Sequence, residues 1–258
     1  MTLRDRSELA SAKRVVVKVG SSSISGENAT KIDFLVEALA KSHARGTEII
    51  LVTSGAIATA LPIFKLDARP DDLATVQALA SVGQSKLIAR YQESLDKYSI
   101  IVGQVLLTAG DFEHEETRKN AKATLDRLLK LRALPIVNEN DTVATHEIKF
   151  GDNDRLAALV AVLVDADALV LLSDVDALYD MPPTKEGAKR IHIVKFGEDL
   201  GDVEIGGSST NVGTGGAVTK VSAAKVATEA GVSVLLTNTD QVSLALEGAD
   251  IGTWFEGR

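Results

Sequence analysis

The chain has no cysteine. That removes disulfides, thiolate metal sites and a cysteine nucleophile together, and it suits a reducing cytoplasm. Positive charge is in deficit: 28 Lys and Arg stand against 36 Asp and Glu, a net charge of -8. Non-specific binding to nucleic acid is therefore not expected. An anionic small-molecule substrate stays open, because a few lysines gathered in one cleft make it locally positive. The first fourteen residues are polar and lack the apolar core of a secretory signal. The longest strongly apolar stretch, Leu156 to Val164, is too short to span a bilayer, and Asp165 and Asp167 follow it. No membrane association is expected, and the reading is cytoplasmic. There is no internal repeat and no long linker.

What is present is an ordinary globular composition, 45% hydrophobic and 25% charged over 258 residues. That length suits one large α/β domain or two small ones. Apolar β-branched runs at 14–19, 48–53, 99–108, 134–137, 168–172 and 232–236 read as strands. Between them, helical spacing links Ile32, Leu35, Val36, Leu39 and Ala40. It also links Ala121, Leu125, Leu128 and Leu129, and again Ala223, Val226, Ala227 and Ala230. Residues 154–164 are apolar nearly all round and read as a buried helix. This alternation predicts an α/β fold with a mainly parallel open sheet and helices on both faces. Stretches 182–187 and 199–216 are rich in Gly, Pro, Ser and Thr and are expected to move. A subtle division is expected near Ala168, between a substrate-binding half (1–167) and a nucleotide-binding half (168–258) of a single domain.

Ligands of such sheets bind beyond the carboxyl ends of the strands, and the polar clusters of this sequence sit there. Lys18 is followed by Gly20 and three serines, a turn able to form an anion nest but without the Walker pattern. Nor does the stretch 17–25 supply the dinucleotide fingerprint, so a nicotinamide-dependent dehydrogenase is not supported. Ser54-Gly55 ends the second strand; alone, Ser54 reads as the N-cap of a helix. Asn138 to Thr142 follow a buried strand and could take both the ammonium and the carboxylate of an amino acid, or form an Asx turn. Asp152, Asn153 and Asp154 precede the apolar helix, more carboxylate than a cap requires. Gly213 to Lys220 form a glycine run entering a helix with a lysine in its first turn. A cation there opposes the helix macrodipole, a cost that a bound polyphosphate would offset. The four histidines, His43, His114, His146 and His192, fall outside all of these segments.

In order and context these motifs resemble the glutamate 5-kinases of the amino acid kinase family, over about Lys13 to Phe255. The most specific pieces are VNENDTV at 137–143, FGDND at 150–154 and GTGGAVTK at 213–220, supported by SVGQ at 81–84. The chain departs from the family pattern at Ala60, Ala177 and Ala217, and in the stretch 106–112. The resemblance implies a three-layer sandwich and a short form without the family's C-terminal PUA domain. It also implies transfer of the γ-phosphoryl of ATP, carried with Mg²⁺, to the γ-carboxylate of L-glutamate. Lys18 and Lys220 would then flank the phosphoryl, with Asp154 holding both. Gly20, Ser21 and Gly55 would supply N–H groups. Ser54, Asp141 and Asn153 would hold glutamate, and Ser173 and Asp174 the nucleotide. Thr214, Gly215, Gly216, Ala217, Val218, Thr219 and Lys220 would form the phosphate-side loop. Mg²⁺ would be held mainly by the phosphates rather than by protein ligands. The family further implies a homo-oligomer, coupling to a glutamyl phosphate reductase and feedback inhibition by proline. Another carboxylate or carbamate kinase of the family, or a non-catalytic amino-acid sensor, stays open at this point.

Overall fold

A computed structural model describes residues 2–24, 26–144, 153–181, 185–198, 200 and 217–258. The elements run β1 (Arg14–Val19), α1 (Lys31–Ala44), β2 (Glu48–Val52), α2 (Ala56–Ala60), α3 (Leu73–Asp96), β3 (Val102–Leu107), α4 (Gly110–Glu113), α5 (Glu115–Lys130) and β4 (Leu134–Glu139). They continue with α6 (Asn153–Leu163), β5 (Ala168–Ser173), β6 (Ile193–Val194), α7 (Ala217–Glu229), β7 (Ser233–Asn238), α8 (Val242–Leu246) and β8 (Thr253–Phe255). The strands form one eight-stranded sheet in the order β3-β4-β2-β1-β5-β7-β8-β6. Every described pairing between these strands is parallel except that of β7 with β8.

The strands read as unbroken apolar runs because both faces of the sheet are covered. Val15, Val17 and Val19 of β1 join a core with Leu35 and Leu39 of α1, Tyr91 of α3 and Val242 of α8. Val16, between them, points to the other face and packs with Leu125 of α5, Leu156 of α6 and Ala224 of α7. Period-2 alternation thus separates two apolar cores instead of separating core from solvent.

Three expectations need correction. The third strand starts at Val102, not Ser99. Tyr98 and Ser99 donate back to Leu95 and Asp96 in the closing turn of α3, and Ser99 has φ 56. The fourth strand continues through Asn138 and Glu139, which pair with Leu106 and Leu107. The 24-residue helix α3 is absent from the pattern reading altogether. Its buried stripe passes through Gly83, Gln84 and Ser94, which interrupt the apolar spacing. The expectations for 182–184, 199 and 201–216 lie outside the described residues.

Gly83 is there for contact. A Cβ on it would stand 1.7 Å from the carbonyl oxygen of Ala56, so α3 lies against α2 at a distance only glycine permits. Eight residues further along α3, the buried Tyr91 shares a hydrogen bond of 2.9 Å with Thr53, just past β2. These two contacts fix α3 beside the carboxyl ends of β2 and β4.

Candidate active site

The strand order reverses about β1: β2 and β4 lie on one side, β5 and β7 on the other. Register aligns Lys18 with Val52 and with Leu171, and Ser173 with Asn238. The segments leaving β1, β2, β4, β5 and β7 therefore converge at one rim of the sheet, where a doubly wound fold opens its crevice.

Asp154 lies at the centre of the rim. It occupies the first turn of α6 and has no solvent exposure. One carboxylate oxygen pairs with the ammonium of Lys18. The other accepts from Lys220 Nζ at 3.1 Å and, more weakly, from Thr219 Oγ1 at 3.5 Å. Lys18 and Lys220 are themselves buried, 4% and 6% exposed. Burial pushes the Asp154 carboxyl up, but the two lysines outweigh it and hold the group below the usual carboxylate range. Its ionic contribution to stability is thus complete above the ordinary value of 3.8 and is lost as pH falls through the lower folded value. Two cations around one buried anion leave a local excess of positive charge in an otherwise acidic protein. The sequence foresees Lys220 in the first turn of a helix against the macrodipole; the protein itself supplies a compensating carboxylate, 66 residues away.

Gly20 and Ser21 continue directly from β1. A Cβ on Gly20 would stand 3.8 Å from Lys18 Nζ, so this backbone passes beside the ammonium. Gly55, with φ 101, takes the cap position of α2, and a Cβ on it would approach Ser21 Cβ to 3.3 Å. The turns after β1 and β2 therefore face each other closely, with Gly55 opposite Ser21. Ser54 is not the cap that its sequence context suggests. Its hydroxyl reaches 3.4 Å back to the Val19 carbonyl, and the αL conformation gives the cap position to glycine.

At the carboxyl end of β4, three buried carboxamides from β4, α3 and α6 are linked. Asn153 donates to the Thr53 carbonyl at 2.6 Å and to Asn138 Oδ1 at 2.8 Å. Asn138 Oδ1 also accepts the Glu139 backbone N–H at 2.9 Å, and Asn138 Nδ2 donates to Gln84 Oε1 at 2.6 Å. Asp141 follows in a partly exposed turn closed by the Val143 and Ala144 N–H groups on the Asn140 carbonyl. Ser173 ends β5, buried, with its hydroxyl 3.0 Å from Asp174 Oδ1; Asp174 itself is exposed. Thr239, just past β7, and Asn238, its last residue, donate to the carbonyls of Ser173 and Asp174.

The described rim thus gathers Lys18, Gly20, Ser21, Ser54, Gly55, Asp141, Asn153, Asp154, Ser173, Asp174, Val218, Thr219 and Lys220. Thr214, Gly215 and Gly216 lie outside the described residues, as does His146; Ala217 begins α7, and only its backbone is described. His43 lies on α1, its ring nitrogen 3.1 Å from the Arg132 carbonyl, and His114 and His192 are exposed. Gln84 is a site neighbour that periodicity does not reveal, and SVGQ at 81–84 carries resemblance alone. A glutamine between Ala80 and Leu87 of a buried stripe is the signal that could have found it.

Comparison with known proteins places this geometry. The model of the amino acid kinase family matches residues 13–238. A protein of Clavibacter sepedonicus named glutamate 5-kinase is 66% identical over 258 residues, all of both chains. One of the same name from Leifsonia xyli subsp. xyli is 63% identical over 99% of this chain and 95% of its own. A Streptomyces avermitilis glutamate 5-kinase is 55% identical, and this chain spans 68% of its length. Among solved structures, a carbamate kinase from Giardia lamblia bound to AMP-PNP superposes with a TM-score of 0.70 over 96% of this chain and 100% of its own. At 15% identity, that likeness concerns the fold.

Proposed function

The chain belongs to the amino acid kinase family, and we propose that it transfers the terminal phosphoryl group of ATP to the γ-carboxylate of L-glutamate. The product, L-glutamyl 5-phosphate, makes this the first step of proline synthesis. The observation that carries the reading is the buried Lys18–Asp154–Lys220 cluster at the sheet rim. Full-length identity to proteins named glutamate 5-kinase supports the choice of substrate.

The chemistry asks for what this cluster offers. A γ-carboxylate has a reference pKa of about 4.3 and is already ionised at neutral pH, so no general base is needed. One carboxylate oxygen forms a bond to the γ-phosphorus as the bond from phosphorus to the β,γ-bridging oxygen breaks, and ADP leaves. The obstacle is repulsion between an anion and a polyanion. Positioning and charge neutralisation must therefore supply the catalysis. Lys18 and Lys220 serve as the neutralising cations. Asp154 fixes both ammonium groups in place, which removes the cost of ordering two flexible side chains during the reaction. Mg²⁺ would arrive on the nucleotide's phosphates and requires few protein ligands. Both Asp154 oxygens face ammonium groups, so its donor set fits a lysine anchor and not a metal ligand.

In this reading Ser54, Asp141 and Asn153 hold glutamate, with Asp141 the partner of its ammonium. Gly20, Ser21, Gly55, Ser173, Asp174 and the segment 214–220 serve the nucleotide. The half before Ala168 carries the glutamate-holding residues and adds Gly20, Ser21 and Gly55 to the nucleotide site, whose other members lie in the half after it. Homo-oligomerisation, proline inhibition, coupling to a reductase for the acyl phosphate and a cytoplasmic location belong to the same proposal. Among the described residues no helix is long and apolar enough to cross a membrane.

The test is hydroxylamine trapping with MgATP, offering glutamate, aspartate, N-acetylglutamate and carbamate separately. Hydroxamate from glutamate alone is the expected result. Product from another acid but not from glutamate would move the chain to a different kinase of the family. None from any acid would make it a binding module.

A further inference from the structure

The three linked carboxamides have a forced orientation. A backbone N–H only donates and a backbone carbonyl only accepts. The Glu139 N–H therefore fixes the oxygen of Asn138, and the Thr53 carbonyl fixes the nitrogen of Asn153. Asn138 must then turn its nitrogen toward Gln84, and Gln84 must answer with its oxygen. The orientation of Gln84 is thus dictated by two main-chain groups on other elements, independently of how an amide is assigned. Its Nε2 is left as a buried donor with no partner among the described residues, on a residue only 8% exposed. An unsatisfied buried donor costs about 1–3 kcal/mol, a cost that a bound acceptor would remove.

We propose that Gln84 is a substrate-binding residue whose Nε2 donates to a carboxylate oxygen of bound glutamate. The inference rests on the glutamate reading above. Gln84 and Asp154 are the two ends of one chain of contacts: Gln84 to Asn138, Asn138 to Asn153, and Asn153 covalently to Asp154. The acceptor amino acid brings two carboxylates to this rim. The amide oxygens of Asn138 and Gln84 are already taken, by Glu139 and Asn153 and by Asn138. Gly83 gives the arrangement its rigidity, because the α2–α3 approach it permits leaves the next residue little freedom to shift.

Gln84→Glu keeps an acceptor for Asn138 and turns the buried unpartnered donor into an oxygen. Gln84→Met keeps the length and removes both polar roles without adding charge, so it serves if the glutamate variant fails to fold. With the hydroxamate assay at pH 8, KM for glutamate is expected to rise by about tenfold or more while KM for ATP moves less than about twofold. A general loosening of the fold would raise both constants together, and that result overturns the assignment. So does a glutamate KM within about twofold of wild type in the folded variants, the result expected if water satisfies Nε2. A wild-type protein that forms no hydroxamate from glutamate removes the substrate reading and this assignment with it. Wild-type activity combined with unchanged variants removes the assignment alone.

Discussion

Asp154→Asn is expected to lower turnover by about two orders of magnitude or more, the scale seen when one electrostatic contributor to a transition state is removed. The substitution keeps the shape and removes the charge. Both carboxylate oxygens face lysine ammonium groups, and Asp154 has no exposure to water that could replace the lost anion. The asparagine amide would aim two N–H donors at one of those cations. Breaking a buried ion pair in this way costs ~3–5 kcal/mol, so the free variant should also unfold at lower denaturant. The lysines have one escape, release of a proton, which burial without a counter-ion favours. A neutral lysine no longer offsets phosphoryl charge, so stability recovered by that route is lost to catalysis. Nucleotide phosphates supply the missing anion, so the rise in melting temperature on adding MgATP should exceed that of wild type. Denaturant melts and steady-state rates check both parts. Turnover within about tenfold of wild type would contradict the role given to Asp154.

Lys220→Ala separates catalysis from folding more cleanly. Asp154 keeps Lys18 as a partner, and alanine suits the first turn of α7. The melting temperature should therefore move much less than in Asp154→Asn. Turnover should still fall by about two to three orders of magnitude, because one of the two cations proposed to face the transferring phosphoryl is gone. Arginine should not restore it: a planar fork on a longer stem does not reproduce a single ammonium held at 3.1 Å from Asp154. Near-normal turnover in Lys220→Ala would remove this lysine from the mechanism.

How much of this was readable beforehand depends on what kind of signal each part left in the chain. The strands β1, β2, β5 and β7 are apolar runs buried on both faces, and such runs announce themselves. Because those strands are parallel, the polar residues just past them fall at one rim, and their convergence was legible from order alone. The long helix α3 was not. The features that make it important, Gly83 against Ala56 and Gln84 against Asn138, are the same ones that break its apolar period. Strand β8, three residues paired antiparallel to β7, is too short to carry a pattern. The Lys18–Asp154–Lys220 cluster came from resemblance. Its members lie far apart in the chain, and nothing in periodicity tells a buried carboxylate that anchors two lysines from one that caps a helix. The same limit hid Gln84, whose role depends on two backbone groups in β4 and after β2.

The central claim is that an oxygen of the substrate's own γ-carboxylate attacks phosphorus. The most direct test uses glutamate carrying heavy oxygen in that carboxylate, with MgATP and hydroxylamine, and mass spectrometry of the phosphate released. Attack of hydroxylamine on the acyl carbon expels phosphate together with the bridging oxygen. The account predicts phosphate bearing one heavy oxygen atom per hydroxamate formed. Unlabelled phosphate, the mark of water attacking ATP, would contradict it.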